Sequence, residues 1–102
     1  MDVHKIIITR RAERDLQSIW RYISDDLLEP NTADNLLERI DEGILTLEQM
    51  PRRNKLVNDE RLARQGIRLL HIENYIVFYT VSEKTVNIIR VLYSHRDWQS
   101  LL

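Results

Sequence analysis

No cysteine occurs among the 102 residues. A disulfide framework and a thiolate metal site are excluded with it, and the absence fits a reducing compartment. Glycine occurs twice, and there is neither a glycine-rich phosphate loop nor a Gly-x-Ser-x-Gly elbow. Proline also occurs twice, as Pro30 and Pro51, and both lie at the ends of helical patterns. No apolar run approaches the ~18 residues of a membrane span. The N-terminal MDVHKIII has no signal-peptide n-region, h-region or cleavage site. A soluble, cytoplasmic protein with no membrane partner is therefore expected. The three histidines, His4, His71 and His95, are far apart and form no i,i+4 zinc pair, so no metal and no cofactor is expected. His4 reads as a surface residue, and His71 as a structural or solvent-facing one.

What is present fills one domain, residues 1–102, with no internal repeat and no linker. A chain of this length buries roughly 60–65% of its unfolded surface. The net charge of −1 makes the whole molecule no obvious polyanion binder, but the charge is uneven. Between Asp25 and Glu48 the acids face a single base, Arg39. Between Arg52 and Arg68 the bases are Arg52, Arg53, Lys55, Arg61, Arg64 and Arg68, against Asp59 and Glu60. Such asymmetry either creates a basic surface on a neutral protein or is simply a solvated helix face followed by a solvated loop.

The stretch Gly66–Leu102 organises the chain. Ile67–Ile72, Tyr75–Val81 and Thr85–Tyr93 are rich in β-branched and aromatic residues, which suit strands. Glu73-Asn74 and Ser82-Glu83-Lys84 between them have hairpin lengths, so an antiparallel meander is predicted. Val3–Ile8 is a further strand without polar alternation, expected to be buried on both faces or packed under helices.

Thr9 is a plausible N-cap. After it, Ala12, Leu16, Ile19, Trp20, Ile23 and Leu27 form one amphipathic stripe. Leu28-Glu29-Pro30-Asn31 ends this helix, and Asn31 is expected to cap the next. The second stripe is Ala33, Leu36, Leu37, Ile40, Ile44 and Leu47, closed by Met50-Pro51. So short a link predicts an antiparallel helical hairpin, Arg10–Leu27 and Asn31–Met50 at its widest. Gly43 interrupts the second helix at a cost of ~1 kcal/mol, which close packing would explain. Pro51–Gln65 is a long polar connection, either functional or partly helical, that Leu56-Val57 and Leu62-Ala63 can pin to the core. Ser94 and Asp97 suggest the start of a short C-terminal helix anchored by Trp98, Leu101 and Leu102. The sum is an α+β domain: an N-terminal strand and an antiparallel helical hairpin packed on an antiparallel sheet.

Chemistry concentrates at the exit of the last strand. Arg68, Arg90, Tyr93, His95 and Arg96 form a candidate phosphate site. Arginine forks bind phosphate and stabilise developing charge. Tyrosine stacks on bases, and histidine transfers protons. This set suits metal-free RNA cleavage by a 2′-hydroxyl. Each residue also has a plainer role open to it. Arg90 can pair with an acid, Arg96-Asp97 can be an ion pair at a helix start, and Tyr93 can be core.

Several runs, in order, resemble one known superfamily. They are Arg11-Ala12-Glu13-Arg14-Asp15-Leu16, Trp20-Arg21-Tyr22-Ile23, Leu47-Glu48-Gln49-Met50-Pro51, Asn74-Tyr75-Ile76-Val77-Phe78-Tyr79 and Ile89-Arg90-Val91-Leu92-Tyr93-Ser94-His95-Arg96-Asp97. The last is similar to a strand ending in Arg-Val-x-(His/Tyr)-x-x-Arg-Asp. The chain resembles, over essentially its whole length, the RelE/ParE superfamily of type II toxin–antitoxin toxins, often called plasmid stabilisation proteins. The resemblance implies a growth inhibitor neutralised by a cognate antitoxin, with DNA bound only through the antitoxin complex. Trp20, Ile23, Leu37 and Ile44 on the hairpin would then bind the antitoxin.

The resemblance also implies one of two targets. RelE-type toxins cut mRNA on the ribosome, and there Arg68, Arg90, Tyr93, His95 and Arg96 would be catalytic. ParE-type toxins inhibit DNA gyrase without nuclease chemistry. This chain carries Ile76 where RelE-type toxins often have arginine, and leucine near Leu102 where RelE has a C-terminal tyrosine. Its long helices look ParE-like. The gyrase inhibitor is thus the preferred expectation, with the endoribonuclease as the alternative and a non-toxic antitoxin-binding module as the third.

Overall fold

The N-terminal apolar run yields only a short strand, β1 (Lys5–Ile8). The computed structural model describes residues 3–102. Thr9 caps the helix that follows, α1 (Arg10–Arg21): its Oγ1 accepts from the Ala12 N–H at 3.3 Å. The same hydroxyl donates to the Ile88 carbonyl at 2.8 Å, so the cap also fastens the helix start to the sheet. After Arg21 the helix widens into a π turn, Tyr22–Asp26. Leu27 N–H closes on the Tyr22 carbonyl and Glu29 N–H on that of Ile23, each at 3.0 Å. Leu28, between them, takes φ 56°. A left-handed conformation costs an L-residue roughly 1–2 kcal/mol, and glycine or asparagine usually fills it.

The second helix, α2, spans Pro30–Leu45. Its N-cap is Glu29 and not Asn31, and the cap has no side-chain hydrogen bond. Pro30 takes the first helical position, where its missing N–H leaves no intrahelical bond unmade. Gly43 has a clear steric reason: a Cβ there would run into the Ile72 side chain. Beyond α2, Met50 turns left-handed at φ 48°. Arg53 Nη1 reaches back to the carbonyls of Thr46, Gln49 and Met50 at 3.2, 2.7 and 3.2 Å. This cation thereby ties together the turn that follows α2; the Thr46 and Met50 carbonyls also accept from the Gln49 and Arg53 N–H groups, at 3.4 and 3.1 Å.

The long polar connection is partly helical. It contains α3 (Glu60–Arg64), capped by Asp59, whose Oδ1 accepts from Leu62 N–H at 3.1 Å. Val57 and Leu62 are buried, as the sequence suggests, whereas Leu56 is exposed and contributes a backbone bridge to Arg68. Gly66, at φ 77°, supplies the left-handed turn into the sheet.

The meander is β2 (Arg68–Ile72), β3 (Tyr75–Val81) and β4 (Thr85–Tyr93). The sheet order is β1-β4-β3-β2. β1 joins β4 in parallel, so the sheet is mixed, with an antiparallel meander and one parallel edge. Of the two expectations for the first strand, burial on both faces fails, because at the edge Ile7 and Ile8 remain exposed; packing under the helices holds for Ile6. His4 is a second correction. It is buried, not on the surface, under the turn that extends α2, and its N–H bonds the Glu48 carbonyl at 2.8 Å.

A bulge interrupts β4. Phe78 pairs with Arg90 but Tyr79 with Ile88, which leaves Ile89 as the extra residue. Ile88 and Val91, three apart, therefore both face the helices, while Ile89 and Leu92 face the other side. The core accordingly has two halves. One lies between the sheet and the helical hairpin, around Ile40, Ile44, Val77 and Tyr79. The other lies beneath α3 and the C-terminus, around Phe78, Leu62 and Leu92. There the expected C-terminal helix is a single 3-10 turn, Trp98–Ser100. Its anchors hold as predicted: Trp98 packs on Phe78 at 5.1 Å between ring centroids, and Leu101 and Leu102 join the same cluster.

Candidate functional site

β4 delivers the candidate residues, and the bulge decides where they go. Arg90 crosses to α1 and grips Asp15, with Nε to Oδ2 at 2.7 Å and Nη2 to Oδ1 at 2.9 Å. Asp15 Oδ2 also accepts from the Val91 N–H at 3.0 Å, and Arg90 Nη1 donates to the Leu101 carbonyl at 2.8 Å. Both side chains are 13% exposed. The hydrogen bond to Asp15 lifts the Arg90 pKa above its ordinary value, against burial, which lowers it. This bidentate pair ties helix, strand and C-terminus together. Its guanidinium is not free for a phosphate.

Arg68 is also committed. Its Nη1 donates to the carbonyls of Arg52 and Asn54 at 3.2 and 2.7 Å. Beside it the buried Tyr79 hydroxyl donates to the Pro51 carbonyl at 2.7 Å and accepts from Asn54 Nδ2 at 3.0 Å. Burial pushes the Tyr79 pKa up, partly offset by the bond from Asn54 and by the charges of Arg68 and Arg53. Arg68 thus belongs to a structural network that holds the basic connection to β2.

The remaining three predicted residues do come together. Past the last strand, Tyr93 lies 5.2 Å from His95 and 5.7 Å from Tyr75 between ring centroids, the latter edge-on. Arg96 sits beside them, exposed and without an ion-pair partner among the described residues. The Tyr75 pKa is raised, first by burial and then by neighbouring Tyr93 and Tyr22.

Tyr75, Tyr93 and Arg96 wall a groove of about 640 Å³ that also takes in Asp15, Ser18, Ile19 and Tyr22. A shallower hollow of about 280 Å³ shares Tyr22, Tyr75 and Tyr93 and runs toward Leu27, Leu36 and Arg39. Arg39 is bound there to Glu73 at 2.6 Å, which joins α2 to the β2–β3 turn. Together they form one aromatic trough between the helical hairpin and the strand ends. The sequence stripes miss Tyr22 and Tyr75 as lining residues. Tyr22 lies outside the apolar stripe, on the helix face it shares with Asp15, Ser18 and Ile19 at three- and four-residue steps.

Of the four hairpin residues expected at an antitoxin surface, Ile23 and Ile44 are core residues facing the sheet. Their apolar spacing records packing within the molecule. Trp20 is exposed, with Nε1 bonded to Asp34 Oδ1 at 2.7 Å, and Leu37 is partly buried. Besides Trp20, the exposed large apolar residues of the hairpin are Tyr22, Leu27, Leu28 and Leu45. Among the described residues no cluster of side chains could hold a metal ion, and no helix is long and apolar enough to cross a membrane.

A family model described as ParE toxin of type II toxin-antitoxin system, parDE, matches residues 6–98. The chain belongs to the ParE toxin family. It is a type II toxin–antitoxin toxin of the wider RelE/ParE superfamily. The matched residues take in Asp15, Arg90 and Arg96 alike.

Solved structures share the ParE-like fold. A chain of the chromosomal ParDE toxin–antitoxin system from P. aeruginosa superposes with a TM-score of 0.76 at 22% identity, covering 89% of this chain and 96% of that one. A chain of the RelBE2 toxin–antitoxin complex from Mycobacterium tuberculosis gives 0.62 at 22% identity, covering 91% and 93%. A conserved hypothetical protein from Helicobacter pylori gives 0.53 at 18% identity, covering 90% and 94%. A search of curated proteins by sequence finds no match.

Proposed function

We propose that this ParE-family toxin arrests growth by binding a protein, DNA gyrase, and that a cognate antitoxin neutralises it by laying a segment in the aromatic trough. The state of the arginines carries the first part. Metal-free RNA cleavage needs several cations converging on one phosphate, beside an acid–base pair. Here Arg90 is spent on Asp15 and Leu101, and Arg68, bonded through Nη1 to two loop carbonyls, pairs with Tyr79 at the end of the meander away from Tyr93. That leaves Arg96 alone at the strand exit. The trough supports the second part: it is concave, aromatic and bordered by one free cation, which suits a segment with apolar anchors and an acidic residue.

A second reading keeps one observation in its favour. Tyr93, His95 and Arg96 share the strand exit, so an RNA strand can reach all three. The deciding experiment is tightly induced expression, with supercoiling by gyrase followed alongside mapping of mRNA 5′ ends. Gyrase arrest over intact mRNA is expected. Codon-registered cuts that vanish in Arg96→Ala would instead make the toxin an endoribonuclease. Normal growth, with folded toxin accumulating in the absence of antitoxin, would leave only an antitoxin-binding module.

A further inference from the structure

The turn between α1 and α2 is built against its own interest. Leu28 holds the left-handed conformation that the chain reversal requires, and its side chain is 79% exposed. Glycine or asparagine would fit that backbone without strain and would keep leucine out of water. Leu27 beside it is half exposed, as is Tyr22 one turn back. An apolar side chain kept on a strained, solvent-facing apex points to a contact outside the molecule.

The surroundings restrict what that contact can be. From Tyr22 to Glu38 the chain carries Asp25, Asp26, Glu29, Asp34 and Glu38 and no lysine or arginine. Asp25, Asp26 and Glu29 flank the apex and are exposed, and none of the three has an ion-pair partner among the described residues. The shape restricts it further. Among the described residues, Leu28 lines neither the groove nor the hollow of the trough and sits at the outer end of the hairpin. A flexible segment needs a concave bed, which the trough supplies; a projecting leucine needs a pocket already formed on a folded partner.

We propose that the hairpin apex, Leu27-Leu28 within a ring of Asp25, Asp26 and Glu29, is the surface by which the toxin engages its target, a folded protein that offers an apolar pocket rimmed by arginine or lysine. The proposal rests on the reading that the target is a protein; the apex adjoins the trough at Leu27, which also lines its shallow end, and Leu28 is the anchor that lies outside it. Leucine supplies the anchor, and the carboxylates steer the approach.

The test compares the full-length toxin with Leu28→Asn, and with the triple variant Asp25→Asn, Asp26→Asn, Glu29→Gln. Leu28→Asn is expected to unfold at the wild-type temperature or above it, which removes misfolding as an explanation. It should nevertheless lose about tenfold or more in growth arrest at matched accumulation, and in inhibition of gyrase supercoiling in vitro, as removal of a buried anchor does. In the triple variant the inhibition should weaken and lose its sensitivity to salt.

A Leu28→Asn toxin that folds and arrests growth like wild type would overturn the proposal. If wild type arrests growth but leaves gyrase active, gyrase is the wrong target, and the apex still stands or falls on whether Leu28→Asn abolishes the arrest. If folded wild type does neither, the protein-target reading fails and takes the apex with it.

Discussion

Arg90 and Arg96 lie six positions apart on one short motif, and the fold puts them to opposite uses. Arg90 enters the interior with a carboxylate waiting for it, and four hydrogen-bonding groups from three segments converge there. Arg96 leaves the sheet and faces the trough from an exposed turn. The same residue type is in one place a structural pin and in the other a free charge. A run of basic residues around a strand end is therefore not yet a site, because each cation has first to be shown unspent.

The sharpest way to break this contrast is Asp15→Ala. It strands a largely covered guanidinium and the Val91 N–H, so roughly 2–4 kcal/mol of unfolding free energy should be lost in denaturant titration. A loss below ~1 kcal/mol would mean that Arg90 is not held as described. The double variant Asp15→Leu, Arg90→Met removes both charges at once. It should recover about half of that loss, since the Val91 N–H and the Leu101 carbonyl still lack their partners. Arg96→Ala sits at the other pole. Its unfolding free energy should stay within about 0.5 kcal/mol of wild type, as for a surface position.

The smallest effect concerns the trough itself. The Tyr75 pKa is raised above 10.0 by burial and by its tyrosine neighbours. A group whose folded pKa is raised contributes stability that is complete below the unfolded value and fades as pH climbs through the folded one. Thermal midpoints should thus decline above pH 10, and less steeply in Tyr75→Phe. Equal slopes in the two proteins would place Tyr75 in open solvent.

Much of this architecture was legible because it is local. The β-branched runs place the strands of the meander to within a residue, and the i,i+4 stripes place both helices. What escaped depends on residues far apart in the chain. Arg90 and Asp15 are 75 positions apart, and no periodicity announces their pairing. The bulge at Ile89 shifts which residues share a face, so strict alternation misassigns the end of β4. β1 reads as buried because it is apolar, but whether a strand is central or at an edge is a property of the sheet. The resemblance implies a partner for Ile23 and Ile44, but both pack inside, since apolar spacing cannot tell an internal face from an external one. The trough was half visible: Tyr93, His95 and Arg96 are contiguous in sequence, whereas Tyr22 and Tyr75 meet them only after folding.

The parallel pairing of β1 with β4 also governs how the molecule comes into being. Lys5 pairs with Thr85 and Ile8 with Ile88, so the first strand made must wait for the last. Pairing over such a span closes a long loop, which slows folding relative to contacts made nearby. During synthesis α1 emerges well before the strand that carries its Arg90 partner, and the part of its apolar stripe that faces β4 stays uncovered until then. The sheet, the Asp15–Arg90 pin and the trough are all completed by the same late strand. A ribosome that stalls before residue 85 therefore yields no complete toxin, only a helical hairpin beside the two-stranded ribbon of β2 and β3, without the strand that joins that ribbon to β1.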